Sequence, residues 1–178
     1  MSLTMPKLVA GEFVLRAFEF GDVALIQEAS ADPFIPLITT VPRTDSPIEA
    51  RAFIVRQHGR SDSGVGYSFA IAERETNRGV GQIGLWLHNI GHGRASVGYW
   101  IVAGARRRGI AGTALRAISE WGFTLPEVAR LELYVEPWNT GSWKTAERTG
   151  YEREGLLRDW EEVDGQRRDM FMYSRLRR

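Results

Sequence analysis

The chain has 178 residues, 43% hydrophobic and 25% charged, which fits one globular domain, 1–178, with a core of its own. A formal net charge of +1 gives no field that would draw nucleic acid or a membrane surface, so neither is expected as a partner. The absence of cysteine excludes disulfides and thiolate metal sites, the scattered His58, His88 and His92 make no metal site, and no long apolar run or signal-peptide pattern is present, so a cytoplasmic, metal-free protein is expected.

Glu12 to Phe18 alternates as a first strand, and Asp22 is placed to cap a helix over Val23 to Ala31. Ser46-Pro47-Ile48-Glu49 is a second helix start, with a capping serine, proline at the first helical position and Glu49 completing a capping box; that helix is expected to end near Gly59. Gly66 to Arg74 and Val80 to Leu87 read as a hairpin, followed by a strand over Arg94 to Val102. Ala111 to Phe123 has Ala111, Ala114, Leu115, Ile118 and Trp121 on one helical face. Arg130 to Glu136 is a strand, Asn139 can cap a short helix ending at Gly150, and Tyr151 to Val163 with Arg167 to Leu176 form a last hairpin about Asp164-Gly165, a type I′ signal. The pattern is α+β. Gly79-Val80-Gly81-Gln82-Ile83-Gly84 matches a dinucleotide fingerprint in letters only; strand-like residues follow it, so the glycines are read as a turn or bulge.

Arg106-Arg107-Arg108-Gly109-Ile110-Ala111-Gly112-Thr113 carries the chemistry. It joins a strand to a helix N-terminus, where the first N–H groups lack intrahelical partners and the helix dipole adds positive charge. Glycines let the backbone approach a phosphate closely and arginines add charge-assisted bonds, so the turn reads as a diphosphate cradle. No Lys-Ser or Lys-Thr follows, which excludes a P-loop.

Arg106-x-x-Gly109-x-Ala111 resembles the pyrophosphate loop of the GCN5-related N-acetyltransferases (GNAT), which bind acetyl-coenzyme A. Val135-Glu136-Pro137-Trp138-Asn139-Thr140-Gly141-Ser142, with Glu147, Gly150, Tyr151, Glu154 and Gly155 beyond it, resembles the RimJ/RimL-like branch, ribosomal-protein N-terminal acetyltransferases among them. Leu15-Arg16-Ala17-Phe18 with Asp22, Gly98-Tyr99-Trp100-Ile101, and Asp169 to Tyr173 extend the likeness along nearly the whole chain. The resemblance implies an acyl-CoA N-acyltransferase fold, a mixed and mostly antiparallel sheet of about seven strands flanked by about four helices. It implies that the strands holding Gly98–Ala103 and Leu131–Glu136 splay, that pantetheine bonds backbone at Ile101, Val102 and Ala103, and that the pyrophosphate lies on Arg106, Arg107, Arg108, Gly109, Ile110, Ala111, Gly112 and Thr113. It gives Asn139 to the pantetheine arm and Ser142 to the sulfur, as general acid. From the residues alone Asn139 is also an N-cap, and Ser142 is equally a polar first-turn residue.

Many relatives carry glutamate where this chain has Ser96, so the usual base is missing, and Glu73, Glu132, Glu136, His88 or a water chain are alternatives. Trp86, Trp100 and Trp143 are expected in the core; Trp138 and Trp160 either line an acceptor cleft or, as the simpler expectation, pack in the core or hairpin. The implied activity is transfer of acetyl from acetyl-CoA to a primary amine, a protein α-amine or a small molecule, by direct attack in a ternary complex. The alternative is a non-catalytic CoA-sensing module on the same fold. A homodimer is left open.

Overall fold

The computed structural model describes residues 3–177. In chain order it contains β1 (Leu8–Ala10), β2 (Phe13–Arg16), α1 (Val23–Ser30), α2 (Ile35–Ile38), α3 (Pro47–Asp62), β3 (Gly66–Glu73), β4 (Gly79–Trp86), β5 (Arg94–Ile101), α4 (Ile110–Gly122), β6 (Arg130–Val135), α5 (Thr140–Arg148), β7 (Glu152–Val163) and β8 (Gln166–Leu176). The strands form one sheet, β1-β2-β3-β4-β5-β6-β8-β7, antiparallel throughout except for the parallel pair β5–β6. The mixed, mostly antiparallel α+β architecture is as expected, but with eight strands and five helices. The additions are β1, paired with β2 through a turn at Gly11, and α2, a single turn whose first N–H groups, Phe34 and Ile35, donate to Asp32 Oδ1 at 2.9 and 3.1 Å.

The remaining corrections concern element ends. Ser46 Oγ accepts from the Glu49 N–H at 3.4 Å as expected, but α3 runs past Gly59 to Asp62. Asp22 holds the N-cap position of α1 as expected, but its side chain makes no cap bond there. Its carboxylate is buried and takes two bonds from the Arg16 guanidinium, at 2.8 and 2.9 Å, while Arg16 also donates to Asn77 in the β3–β4 turn. This clasp draws the chain out of β2 after Arg16. Asp164 and Gly165, φ 51° and 72°, make the expected two-residue turn, with Val163 opposite Gln166.

The sheet has apolar layers on both faces. On one, Trp121 of α4 packs edge-on against Tyr67 and Phe69 of β3, with ring centroids at 4.7 and 5.7 Å. On the other, α1 and α3 bring Ile26, Phe53 and Ile54 to full burial. The glycines of the false dinucleotide fingerprint lie in β4, beside a register shift between Ile71 and Ala72.

Candidate active site

β5 and β6 run together over three rungs only, Arg94↔Arg130, Ala95↔Leu131 and Ser96↔Glu132. Beyond them β5 stays with β4 as far as Ile101, and β6 stays with β8 as far as Val135, so the two strands part. The Val102 N–H donates to Val80 O across β4, at 3.1 Å. By alternation the backbone groups of Val97, Tyr99 and Ile101 therefore turn into the gap. The gap opens on a cleft of about 370 Å³ whose walls include Gly98, Tyr99, Leu133, Tyr134, Asn139 and Ser142.

At the far end of β5 a short 3-10 turn, Ala103–Ala105, leads into the arginine segment. Gly109 has φ +74°, a left-handed conformation that starts α4 and that a β-branched side chain resists. Thr113 is the first residue to donate along the helix, to Gly109 O at 3.1 Å, so the N–H groups of Ile110, Ala111 and Gly112 stand ahead of the ladder. These open donors are what a diphosphate needs.

The three arginines differ. Arg106 is committed elsewhere: Nη2 meets Asp32 Oδ2 at 2.5 Å and Nε donates to Ile101 O at 2.9 Å. Arg108 pairs with Glu73 at 3.1 Å. Arg107, exposed and at φ +64°, has no ion pair among the described residues. Burial works against the charged form of Asp32, but the bonds from Phe34, Ile35 and Arg106 together hold its carboxyl below the ordinary value. The Gly112 position faces α5, where a Cβ would lie 3.8 Å from Thr145 and 3.9 Å from Thr149, ordinary contact, so the packing does not itself require glycine there. In the segment 101–103, Val102 N–H and Ile101 O are already bonded and Ala103 is exposed, which leaves the Ile101 N–H directed at the gap.

On the opposite wall Asn139 caps α5, its Oδ1 accepting from the Ser142 N–H at 3.2 Å. The cap fixes Ser142 on the first turn, half-buried, with its side chain beside the Tyr99 phenol. Tyr99 OH donates to Ser142 O at 3.3 Å, and burial raises its phenol above the ordinary tyrosine value. Thus two hydroxyls, Ser142 and Tyr99, flank the gap. Sequence reasoning missed Tyr99, although its place in the Gly98-Tyr99-Trp100-Ile101 run and strand alternation put it there.

The four candidate bases separate. Glu73 lies outside the cleft with Arg108 and Arg78. Glu132 is buried, bonded by Arg130 at 2.8 Å and by Tyr134 OH at 3.0 Å, with Arg94 at 3.6 Å. Glu136 and His88 line the cleft; Glu136 accepts from Trp138 Nε1 at 2.8 Å and has Arg168 at 3.6 Å. The expectation of core packing fails for Trp138 and Trp160, which are 54% and 52% exposed. Trp138 lines the cleft against Phe34 (5.0 Å between centroids), and Trp160 stacks on Tyr134 (5.8 Å). Trp86 also lines the cleft rather than the core, whereas Trp100 is buried and Trp143 half-buried.

Residues 12–152 match the model of the acetyltransferase (GNAT) domain. The chain belongs to the GNAT acetyltransferases. It is similar over 174 residues to an uncharacterized N-acetyltransferase, p20, of Bacillus licheniformis, at 30% identity covering 98% of each chain. Its fold is similar to that of Mycobacterium smegmatis RimJ in complex with CoA-disulfide (TM-score 0.81, 24% identity, 97% of this chain and 86% of that one). It is also similar to a RimL ribosomal α-N-protein acetyltransferase in complex with coenzyme A (TM-score 0.80, 20% identity, 96% and 98%). The acetyltransferase is therefore an acyltransferase of RimJ/RimL-like build. Among the described residues no group of histidine and acidic side chains forms a metal site, and no helix is long and apolar enough to cross a membrane.

Proposed function

We propose that the acetyltransferase moves the acetyl group of acetyl-CoA to a primary amine by direct attack in a ternary complex. The observation that carries this is the parting of β5 and β6 after Ser96, between the open α4 N-terminus and the Asn139–Ser142 turn. RimJ and RimL structures holding CoA support the cosubstrate.

In this reading the N–H groups of Ile110, Ala111 and Gly112, with Arg107, hold the diphosphate, and Asn139 and the Ile101 N–H steady the arm that follows. The Tyr99 N–H, turned into the gap, is the donor for the carbonyl oxygen as it gains charge. The amine nitrogen bonds to the acyl carbon, the carbon–sulfur bond breaks, and Ser142 protonates the departing thiolate. The amine's proton leaves to Glu136, His88 or solvent.

The acceptor is best read as an α-amine. Freeing one at pH 7 costs about 1–1.4 kcal/mol, against roughly 4.6 kcal/mol for a lysine. The smaller cost favours the α-amine, and the RimL α-N-protein neighbour points the same way. The test is thiol release from acetyl-CoA with a panel of α-amines, ε-amines and small amines. Turnover highest with α-amines is expected; preference for lysine would contradict this choice.

A further inference from the structure

The cleft, lined also by Glu136 and Glu161, holds a cation with no ion-pair partner among the described residues. Arg60, on α3, lines it; its Nε donates to Gln57 Oε1 at 3.0 Å and its Nη2 to Thr40 Oγ1 at 3.4 Å, and it has no carboxylate partner among the described residues. Arg56 is one turn earlier and donates to Thr40 O at 3.1 Å, so two guanidinium groups converge on one threonine. Burial, and after it the charge of Arg56, makes the Arg60 cation harder to keep than usual.

The support beneath Arg60 is buried and uncharged. Gln57 Oε1 also accepts from Ser68 Oγ at 3.0 Å and Gln82 Nε2 at 3.2 Å, and Gln82 Oε1 accepts from Trp100 Nε1 at 2.6 Å. This chain fixes the guanidinium without cancelling its charge. The guanidinium lies over the Trp86 ring at 4.7 Å. That indole lies flat on β4 and β5: a Cβ at Gly84 would fall 2.2 Å from the ring, and one at Gly98 3.6 Å from Trp86 Nε1. Arg60 is thus one indole away from the open edge of β5. Its supports meet the middle of the two strands: the Trp86 ring covers Gly84 and Gly98, which pair with each other, and Gln82 pairs with Trp100. With Nε on Gln57 and one Nη2 hydrogen on Thr40, Nη1 and the second Nη2 hydrogen remain for a carboxylate partner.

We propose that Arg60 is the receptor for a carboxylate carried by the amine acceptor, so the acceptor is an acidic amine: a peptide with an acidic residue beside its α-amine, or a small amino acid. The proposal rests on the cleft being the acceptor site. Trp86 spaces the carboxylate from the reacting nitrogen at the open edge of β5, and Glu136, just past β6 on the wall of the same cleft, is the carboxylate for the amine.

The test compares kcat/KM at saturating acetyl-CoA for Ser-Glu-Ala-amide against Ser-Gln-Ala-amide, and, for a single amino acid with an α-amine, L-glutamic acid α-amide against L-glutamine amide. In the wild type the acidic member of at least one pair is favoured roughly 10- to 100-fold, the range of a hydrogen bond to a charged group. The pair that discriminates identifies the source of the carboxylate. In Arg60→Gln the ratio falls toward one, and Arg60→Lys keeps part of it, with folding of both variants checked by circular dichroism. Equal rates within both wild-type pairs, or a preference that survives in folded Arg60→Gln, would overturn the proposal. Acetylation of no amine while acetyl-CoA still raises Tm would instead defeat the transfer reading on which it rests.

Discussion

Ser96 and Glu132 face each other on the last rung shared by β5 and β6. Past that rung the sheet has no ladder bonds between the two strands, and the backbone groups of Tyr99 and the Ile101 N–H are left for a ligand. Glu132 stands beside the position where relatives carry a base, but its two arginines and the Tyr134 hydroxyl engage it as a structural group. The cleft therefore begins where the pairing ends.

Coenzyme A stabilises the fold. At a concentration about 100 times its Kd the gain is about 2.7 kcal/mol, read as a rise in Tm. An unchanged Tm at millimolar CoA would remove the cradle assignment.

Gly109→Val weakens CoA binding more than Arg107→Ala. Valine resists the +74° φ that opens α4 and adds bulk where a diphosphate must approach, whereas Arg107 is exposed, where one charge pair contributes about 0–1 kcal/mol. Titration calorimetry on the two folded variants checks the order; equal affinities would contradict a cradle built of backbone.

Ser142→Ala lowers kcat and leaves CoA affinity nearly intact, because the hydroxyl acts on a thiolate that exists only late in the reaction. The loss is at the low end of the ~10²–10⁴-fold range of a general acid, thiolate being a good leaving group. Tyr99→Phe is the control for the second hydroxyl. Full activity in Ser142→Ala with loss in Tyr99→Phe would transfer the role to Tyr99.

Glu154 gives the acid limb of stability. Arg130 bonds both its oxygens, at 2.8 and 2.6 Å, and with Ser174 holds its carboxyl at about 2 against an ordinary 4.5. A lowered folded value means the stabilisation is complete above about 4.5 and is lost as pH falls toward about 2. Glu154→Gln should flatten the urea midpoint between those limits; an unchanged acid limb would show that solvent screening cancels the pair.

Elements with local signals were legible in the sequence: Ser46 before Pro47, Asp164-Gly165, and the glycine opening α4 all act within a turn. The three-residue β1 and four-residue α2 carry too few residues for a period to show. Asp22 keeps the cap position but makes no cap bond, because the partner of its carboxylate, Arg16, comes from the preceding strand. Arg60 and Phe34 carry no local signal of a site; α3 and the start of α2 bring them to the cleft only through the tertiary fold. Arg106 matched the cradle motif by letter, while its guanidinium is engaged by Asp32, 74 residues away.

The most direct test of acetyl transfer in this cleft is mass spectrometry of an α-amine peptide incubated with the protein and acetyl-CoA, with free thiol counted in parallel. The account predicts one acetyl on the α-amine for each thiol released, with the rate reduced in Ser142→Ala. An unmodified peptide and no thiol above the no-enzyme control, under conditions where acetyl-CoA raises Tm, would contradict it.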